Sequence, residues 1–327
     1  MKLVGTTSWL RPLFTLALLS AALVFILSER SLQALFQVKD SAFFSAFTLG
    51  LVVQLTIALR WASISPLFGF KIPYRFYFSW TLAGNFASAF FPRTLEGNSL
   101  RTIWLSIPIA GSNEDEHANA RRWRAETTLR WDRTLMTAAL LLIGFPSLLA
   151  LPTFQFPPSI AAPARTAITV LIVGSLALLI TSVRSEKSRF GGNIRKAKDQ
   201  TIKAGLTAFT RPWLSGFHGL LAIFIQLLRC QALWLLAQGL QIDLGGSEAI
   251  DLIVFSSVIT LIPISLNGAG TREFVFAAYF HSQGWDPIDG ALLGIICTGV
   301  ETLVSLCGSI SFFRIMNSFR VSAPVKR

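Results

Sequence analysis

Charge is scarce in this chain: Asp, Glu, Lys and Arg make up 14% of 327 residues, against 52% hydrophobic. That leaves too little polar surface to cover a water-soluble globule, which excludes an ordinary soluble enzyme or binding module. Acid is scarcer than base, with 17 Asp plus Glu against 29 Lys plus Arg and a net charge of +12 at pH 7. The excess does not form a nucleic-acid face, because the basic residues fall in loops between apolar runs; charge bias across a membrane and attraction to anionic headgroups explain them more simply. There are only three cysteines, Cys230, Cys297 and Cys307, all inside apolar runs, which argues against a disulfide framework. His117, His218 and His281 are scattered, so no metal centre and no cofactor is expected. No GxxxxGK[ST] loop is present, so ATP-driven chemistry on a P-loop has no support.

What is present is apolar sequence of membrane-spanning length. Six runs each come close to the roughly 20 residues a bilayer helix needs: Pro12–Ser28, Ser41–Leu59, Thr134–Leu151, Thr166–Ser182, Trp213–Leu236 and Ile288–Phe313. The first reads as a retained span, because no small-residue cleavage site follows before Glu29 and Arg30. The expected fold is an all-α polytopic membrane protein, one integral domain over 1–327. The basic stretch 183–211 carries Arg184, Lys187, Arg189, Arg195, Lys196, Lys198, Lys203 and Arg211 against Glu186 and Asp199, and is expected in the cytoplasm. Both termini are expected there too, in the cytoplasmic (inner) membrane. The segments Pro152–Ala164, Gln238–Ile250 and His281–Pro287 hold no Lys or Arg and are expected outside. Two cytoplasmic stretches look amphipathic, Ala118–Arg133 and the one holding Ile194, Ile202, Leu206 and Phe209, and are expected to lie along the inner leaflet.

Two apolar regions are interrupted by Pro, Gly and Arg. The first holds Asn85, Pro92, Gly97 and Arg101; the second holds Pro263, Ser265, Asn267, Gly268, Gly270, Arg272 and Glu273. In both, Gly follows Pro by five residues and Arg follows Gly by four; the pairs 92 and 263, 97 and 268, 101 and 272 all differ by 171. This composition gives about 0.1 such matches by chance, so an internal repeat is expected, 41–151 and 213–313. With the loops placed as above, the two broken regions enter from opposite faces, as in inverted-topology transporters. A helix that restarts at bilayer depth points N–H groups and its positive dipole end inward, where lipid cannot satisfy them. Arg101 and Arg272 lie in those opening turns and are expected to bind an anion, a phosphate above all. The plainer alternative is that each Arg snorkels to headgroups or pairs with Glu96 or Glu273. Arg229 and Glu301 lie inside full spans and need a partner or a wet cavity; an Arg229–Glu301 ion pair and a place on a substrate path are both open.

These residues resemble the lysylphosphatidylglycerol synthase transmembrane-region family. The likeness rests on Asn85 with Pro92, Gly97 and Arg101, on Trp131-Asp132-Arg133 before a span, and on Ile262 to Glu273 followed by Gly284. The Pro-x-Ser-x-x-Gly-x-Gly-x-Arg-Glu string is its specific part. The resemblance implies re-entrant helices in an inner-membrane protein that moves or presents anionic phospholipids or lipid-linked sugars. It also implies that the aminoacyl-transferase activity of the two-domain synthases is absent, since that soluble domain is not in this sequence. Asp132 and Arg133 join the candidate substrate-binding set on this ground.

The expected function is therefore a lipid flippase or transporter for an anionic phospholipid or polyprenyl phosphate, and not an enzyme. A membrane transferase of polyprenyl-phosphate-linked sugars is the alternative, with Asp132 and Glu126, or Glu273, as its carboxylates. A scaffold for a partner lipid-modifying enzyme is a third. No nucleic-acid partner is expected, and the oligomeric state is not legible.

Overall fold

The computed structural model describes residues 39–91, 97–107, 118–144, 212–260 and 270–321. Among these the chain is all helix. Helix α1 (Asp40–Ile64) runs into a short 3-10 turn (Ser65–Phe68) that Gly69 closes at φ +83°, a conformation glycine adopts without penalty. Then come α2 (Tyr74–Phe90), α3 (Gly97–Ser106) and α4 (Ala118–Ile143). After the undescribed stretch follow α5 (Pro212–Gly239), α6 (Gly246–Thr260), α7 (Thr271–Ser282), α8 (Pro287–Leu306) and α9 (Ser309–Val321).

Three stretches among the described residues are long and apolar enough to cross a membrane: Asp40–Phe68, Gly216–Gly239 and Pro287–Asn317. The surface of the described helices is what a lipid-facing protein needs, with Phe44, Leu142, Leu220, Phe274 and Ile310 each more than 60% exposed. Water would penalise that much apolar side chain; hydrocarbon does not. Of the six expected spans, Pro12–Ser28 and Thr166–Ser182 lie outside the described residues. Ile288–Phe313 lies within the spanning stretch Pro287–Asn317, with a turn at Cys307–Gly308 between α8 and α9, because α9 packs on α2 and a Cβ at Gly308 would stand 2.0 Å from the Leu82 carbonyl oxygen. One other needs correction. The described part of Thr134–Leu151, up to Ile143, does not start a helix of its own. It continues the helix begun at Ala118, and the expected flat amphipathic segment Ala118–Arg133 buries Ala125, Thr128, Leu129 and Asp132 in protein.

Neither broken region is an unbroken membrane-crossing helix. α2 and α3 are 17 and 10 residues long, α6 and α7 15 and 12. At 1.5 Å per residue these reach about 15 to 26 Å, short of the roughly 30 Å hydrocarbon layer. α3 packs against α2, and α7 against α6, as two broken hairpins require. Helix positions also recur: shifting α1 to α4 by 171 gives 211–235, 245–261, 268–277 and 289–314, beside the observed 212–239, 246–260, 271–282 and 287–306.

By its internal contacts the chain divides into two compact units. The Arg101 unit holds the described residues within 52–139, 185–225 and 304–327, and its core is aromatic: Trp61, Tyr77, Trp80, Phe86, Trp104 and Phe312. The Arg272 unit holds those within 1–51, 140–184 and 226–303, with a largely aliphatic core around Leu233, Leu236, Leu252, Leu293 and Ile296, joined by Phe276 and Phe280.

Candidate functional site

In the Arg101 unit the site begins with the break before Gly97. α3 restarts there and packs back on α2, which turns Arg101 toward the α2 backbone. Its Nη2 donates to the Thr81 carbonyl at 3.0 Å and to Asn85 Oδ1 at 2.8 Å, and its guanidinium carbon lies 5.9 Å from the Trp61 ring centroid. The Asn85 amide in turn donates to Gln54 Oε1. Every one of these partners is neutral. Arg101 Nε is buried with no hydrogen-bond partner, and among the described residues no carboxylate forms an ion pair with Arg101. A guanidinium held only by dipoles has no carboxylate paired with it and favours an anion beside it.

The neighbouring carboxylate is already engaged. Asp132 Oδ1 accepts from Arg60 Nε at 2.9 Å and Nη2 at 2.8 Å, a pair buried at 1% and 10% side-chain exposure. Arg133, expected beside Asp132 in the substrate-binding set, is exposed on α4 and turned away from it, because residues adjacent in a helix point about 100° apart and do not face one another. Close by, Ser63 Oγ donates to the Arg60 carbonyl at 2.8 Å and lies 3.3 Å from His218 Nδ1.

In the Arg272 unit, Gly270 at φ +83° precedes α7, which explains why that position of the motif takes glycine. Glu273 Oε2 accepts the Gly270 N–H at 2.6 Å, and its Oε1 accepts the Thr298 hydroxyl at 2.7 Å. This is half of a capping box, so the Gly270 N–H expected to be free for an anion is taken. Arg272 pairs with Glu301 at 2.8 Å and donates to Thr298 Oγ1 at 3.5 Å. Its carboxylate partner is thus Glu301 and not Glu273. Arg229 reaches Glu301 only at 3.9 Å and Gln226 at 3.4 Å, so Arg272 is the closer partner of Glu301. Arg229, Arg272, Glu273 and Glu301 sum to zero charge.

What holds α7 in place was missed from sequence: a Cβ at Gly290 would meet the Phe276 carbonyl oxygen at 2.5 Å, and one at Gly294 the Glu273 Cα at 2.9 Å. Spaced four apart, the two glycines let α8 lie against the α7 backbone, which sets Thr298 and Glu301 beside Arg272. The local signal, small-x-x-x-small in an apolar run, was available. Arg60, Gln54 and Thr81 carried no such signal.

Of the expected site residues, Asn85 and Arg101 are joined directly, Asp132 lies in the same unit, and Arg133 is turned away. Arg229, Gly270, Arg272, Glu273 and Glu301 form the second cluster. Gly97 opens α3. Pro92, Pro263, Ser265, Asn267 and Gly268 lie outside the described residues.

A chain that is all helix among the described residues, with spans of membrane length, exposed apolar side chains and two interrupted helical regions, each carrying an Arg near its restart, is an integral membrane protein. The model of the lysylphosphatidylglycerol synthase TM region matches residues 12–308, and the chain belongs to that family. No curated protein and no solved structure matches it.

Proposed function

We propose that the protein carries a lipid bearing an anionic phosphate, an anionic phospholipid or a polyprenyl phosphate, from one leaflet of the cytoplasmic membrane to the other. Family membership supports lipid handling. The observation that carries the finer reading is Arg101, placed in a hairpin too short to span and held by neutral acceptors alone. A lipid phosphate brought to it gains charge-assisted hydrogen bonds where water is scarce. Arg272 plays the corresponding part in the other hairpin, with Glu301 as a resident anion that a phosphate replaces. We further propose that the recurrence at 171 residues is an inverted duplication, the arrangement that lets a transporter open to either face. The basic loops and both termini then lie in the cytoplasm.

The transferase alternative draws no support from the carboxylates it needs. Asp132 is locked to Arg60, Glu273 caps α7, and Glu126 pairs with Arg122 and Arg130 on an exposed face. Full chain reconstituted into liposomes is expected to speed loss of a labelled anionic phospholipid from one leaflet. The variant Arg101→Ala with Arg272→Ala is expected to lose that acceleration; an undiminished rate would mean that neither Arg holds the headgroup.

A further inference from the structure

The interior of the Arg101 unit holds several buried polar atoms that find no hydrogen-bond partner among the described residues. Arg60 is 1% exposed, Trp61 1%, Thr81 0% and His218 2%. Yet Arg60 Nη1, the Trp61 indole Nε1, the Thr81 hydroxyl, Arg101 Nε and His218 Nε2 are each buried without a hydrogen-bond partner among the described residues. Native interiors satisfy nearly all such atoms, because each unmet donor costs about 1–3 kcal/mol and more when charged. Several in one unit ask for a common explanation.

They belong to one neighbourhood. Arg60 and Trp61 are consecutive on α1, and Arg101 of α3 lies over the Trp61 ring at 5.9 Å. Thr81 of α2 supplies the carbonyl that Arg101 grips at 3.0 Å. Ser63, on the same turn of α1, bonds the Arg60 carbonyl at 2.8 Å and sits 3.3 Å from His218 of α5. Two guanidiniums face one carboxylate there, since Asp132 is paired with Arg60 alone, so the group carries an unbalanced positive charge. Arginine and indole N–H groups cannot accept a hydrogen bond. A guest with acceptor oxygens and negative charge answers both deficits at once; a cation or an apolar chain answers neither.

We infer that the Arg101 unit encloses a binding site for a phosphoryl oxyanion, contacted by Arg60, Trp61 and Arg101. It extends the candidate set to two residues that the Pro-Gly-Arg motif does not include. Arg60 keeps Nε and Nη2 on Asp132 and offers Nη1; Arg101 keeps Nη2 on Thr81 and Asn85 and offers Nε. Trp61 donates its indole N–H. Ser63 donates its one proton to the Arg60 carbonyl, so in the neutral ring His218 Nδ1–H donates to Ser63 Oγ and Nε2 is an acceptor, which leaves His218 outside the donor set. The inference rests on the transport reading only for the phosphate being part of a lipid. The site itself stands on the donors.

Full-length protein in a phosphate-free detergent tests it, with radiolabelled inorganic phosphate as the probe. Saturable binding is expected, weakened about ten-fold or more by Arg101→Gln and by Trp61→Phe, the latter keeping a ring of similar shape while deleting one N–H. Trp80→Phe, in the same aromatic cluster at 5.9 Å from the Trp61 ring, is expected to bind as the parent does. Thermal midpoints of all three variants are recorded alongside, and Trp61→Phe carries the test if Arg101→Gln does not fold. Displacement of the label by phosphatidylglycerol but not by diacylglycerol identifies a lipid phosphate; failure of phosphatidylglycerol to displace it identifies free phosphate as the ligand. Absence of saturable phosphate binding, or unchanged binding in folded Trp61→Phe, would overturn the inference and leave internal water as the partner of these donors. Intact binding with no lipid movement in liposomes would instead count against transport alone.

Discussion

At the scale of single residues the two hairpin arginines differ in what neutralises them. Arg272 has a carboxylate at 2.8 Å, whereas Arg101 has a carbonyl and an amide. Removing Glu301 should therefore matter to Arg272 and not to Arg101. In a double-mutant cycle on thermal stability, Arg272→Ala and Glu301→Ala are expected to be coupled by about 1 kcal/mol or more, while Arg101→Ala and Glu301→Ala simply add; additivity in both cycles would deny the pair. Arg60 and Asp132 are buried deeper, so Asp132→Asn strands a guanidinium and is expected to cost about 3–5 kcal/mol. Arg133→Ala, one position on but exposed, is expected to stay within about 0.5 kcal/mol. Chemical or thermal unfolding of the two variants in one detergent separates these outcomes.

At the scale of elements, the breaks were legible and the contacts between helices were not. Pro92, Gly97, Pro263 and Gly270 announce where helices cannot run on, and the helices do stop on either side of those stretches. The constant spacing of 171 anticipates the recurrence of helix positions. The continuity of α4 was hidden because Arg and Glu crowd its first half, and a charged stretch followed by an apolar one reads as two elements. In fact Ala125, Leu129 and Asp132 are spaced four and three apart and share one buried stripe. Cysteine scanning along 121–139 is expected to show protection at 125, 129 and 132 and labelling at 122, 130 and 133, in one helical phase throughout. A phase shift near 133–134 would restore the two-element reading. The turn at Cys307–Gly308 was equally hidden, since only a partner backbone 2.0 Å from a would-be Cβ demands glycine there. Gly308→Val is expected to push α9 off α2 and lower the yield of monodisperse protein, where Gly299→Ala, with open space around it, does neither.

At the scale of the molecule, family membership supports lipid handling, and Arg101, held by neutral acceptors, is where the lipid phosphate is proposed to bind. Residue pairs far apart in sequence, such as Arg60 with Asp132 at a separation of 72 and Arg272 with Glu301 at 29, determine which arginine is free, and no local pattern encodes them. That is why the motif treated Arg101 and Arg272 as equals and the folded chain does not. The most direct test is the initial rate at which a labelled anionic phospholipid leaves one leaflet of liposomes containing purified, monodisperse protein. The account predicts acceleration over empty liposomes that falls about ten-fold or more in Arg101→Ala; a rate equal to the parent's in that variant, at equal reconstitution, would contradict it.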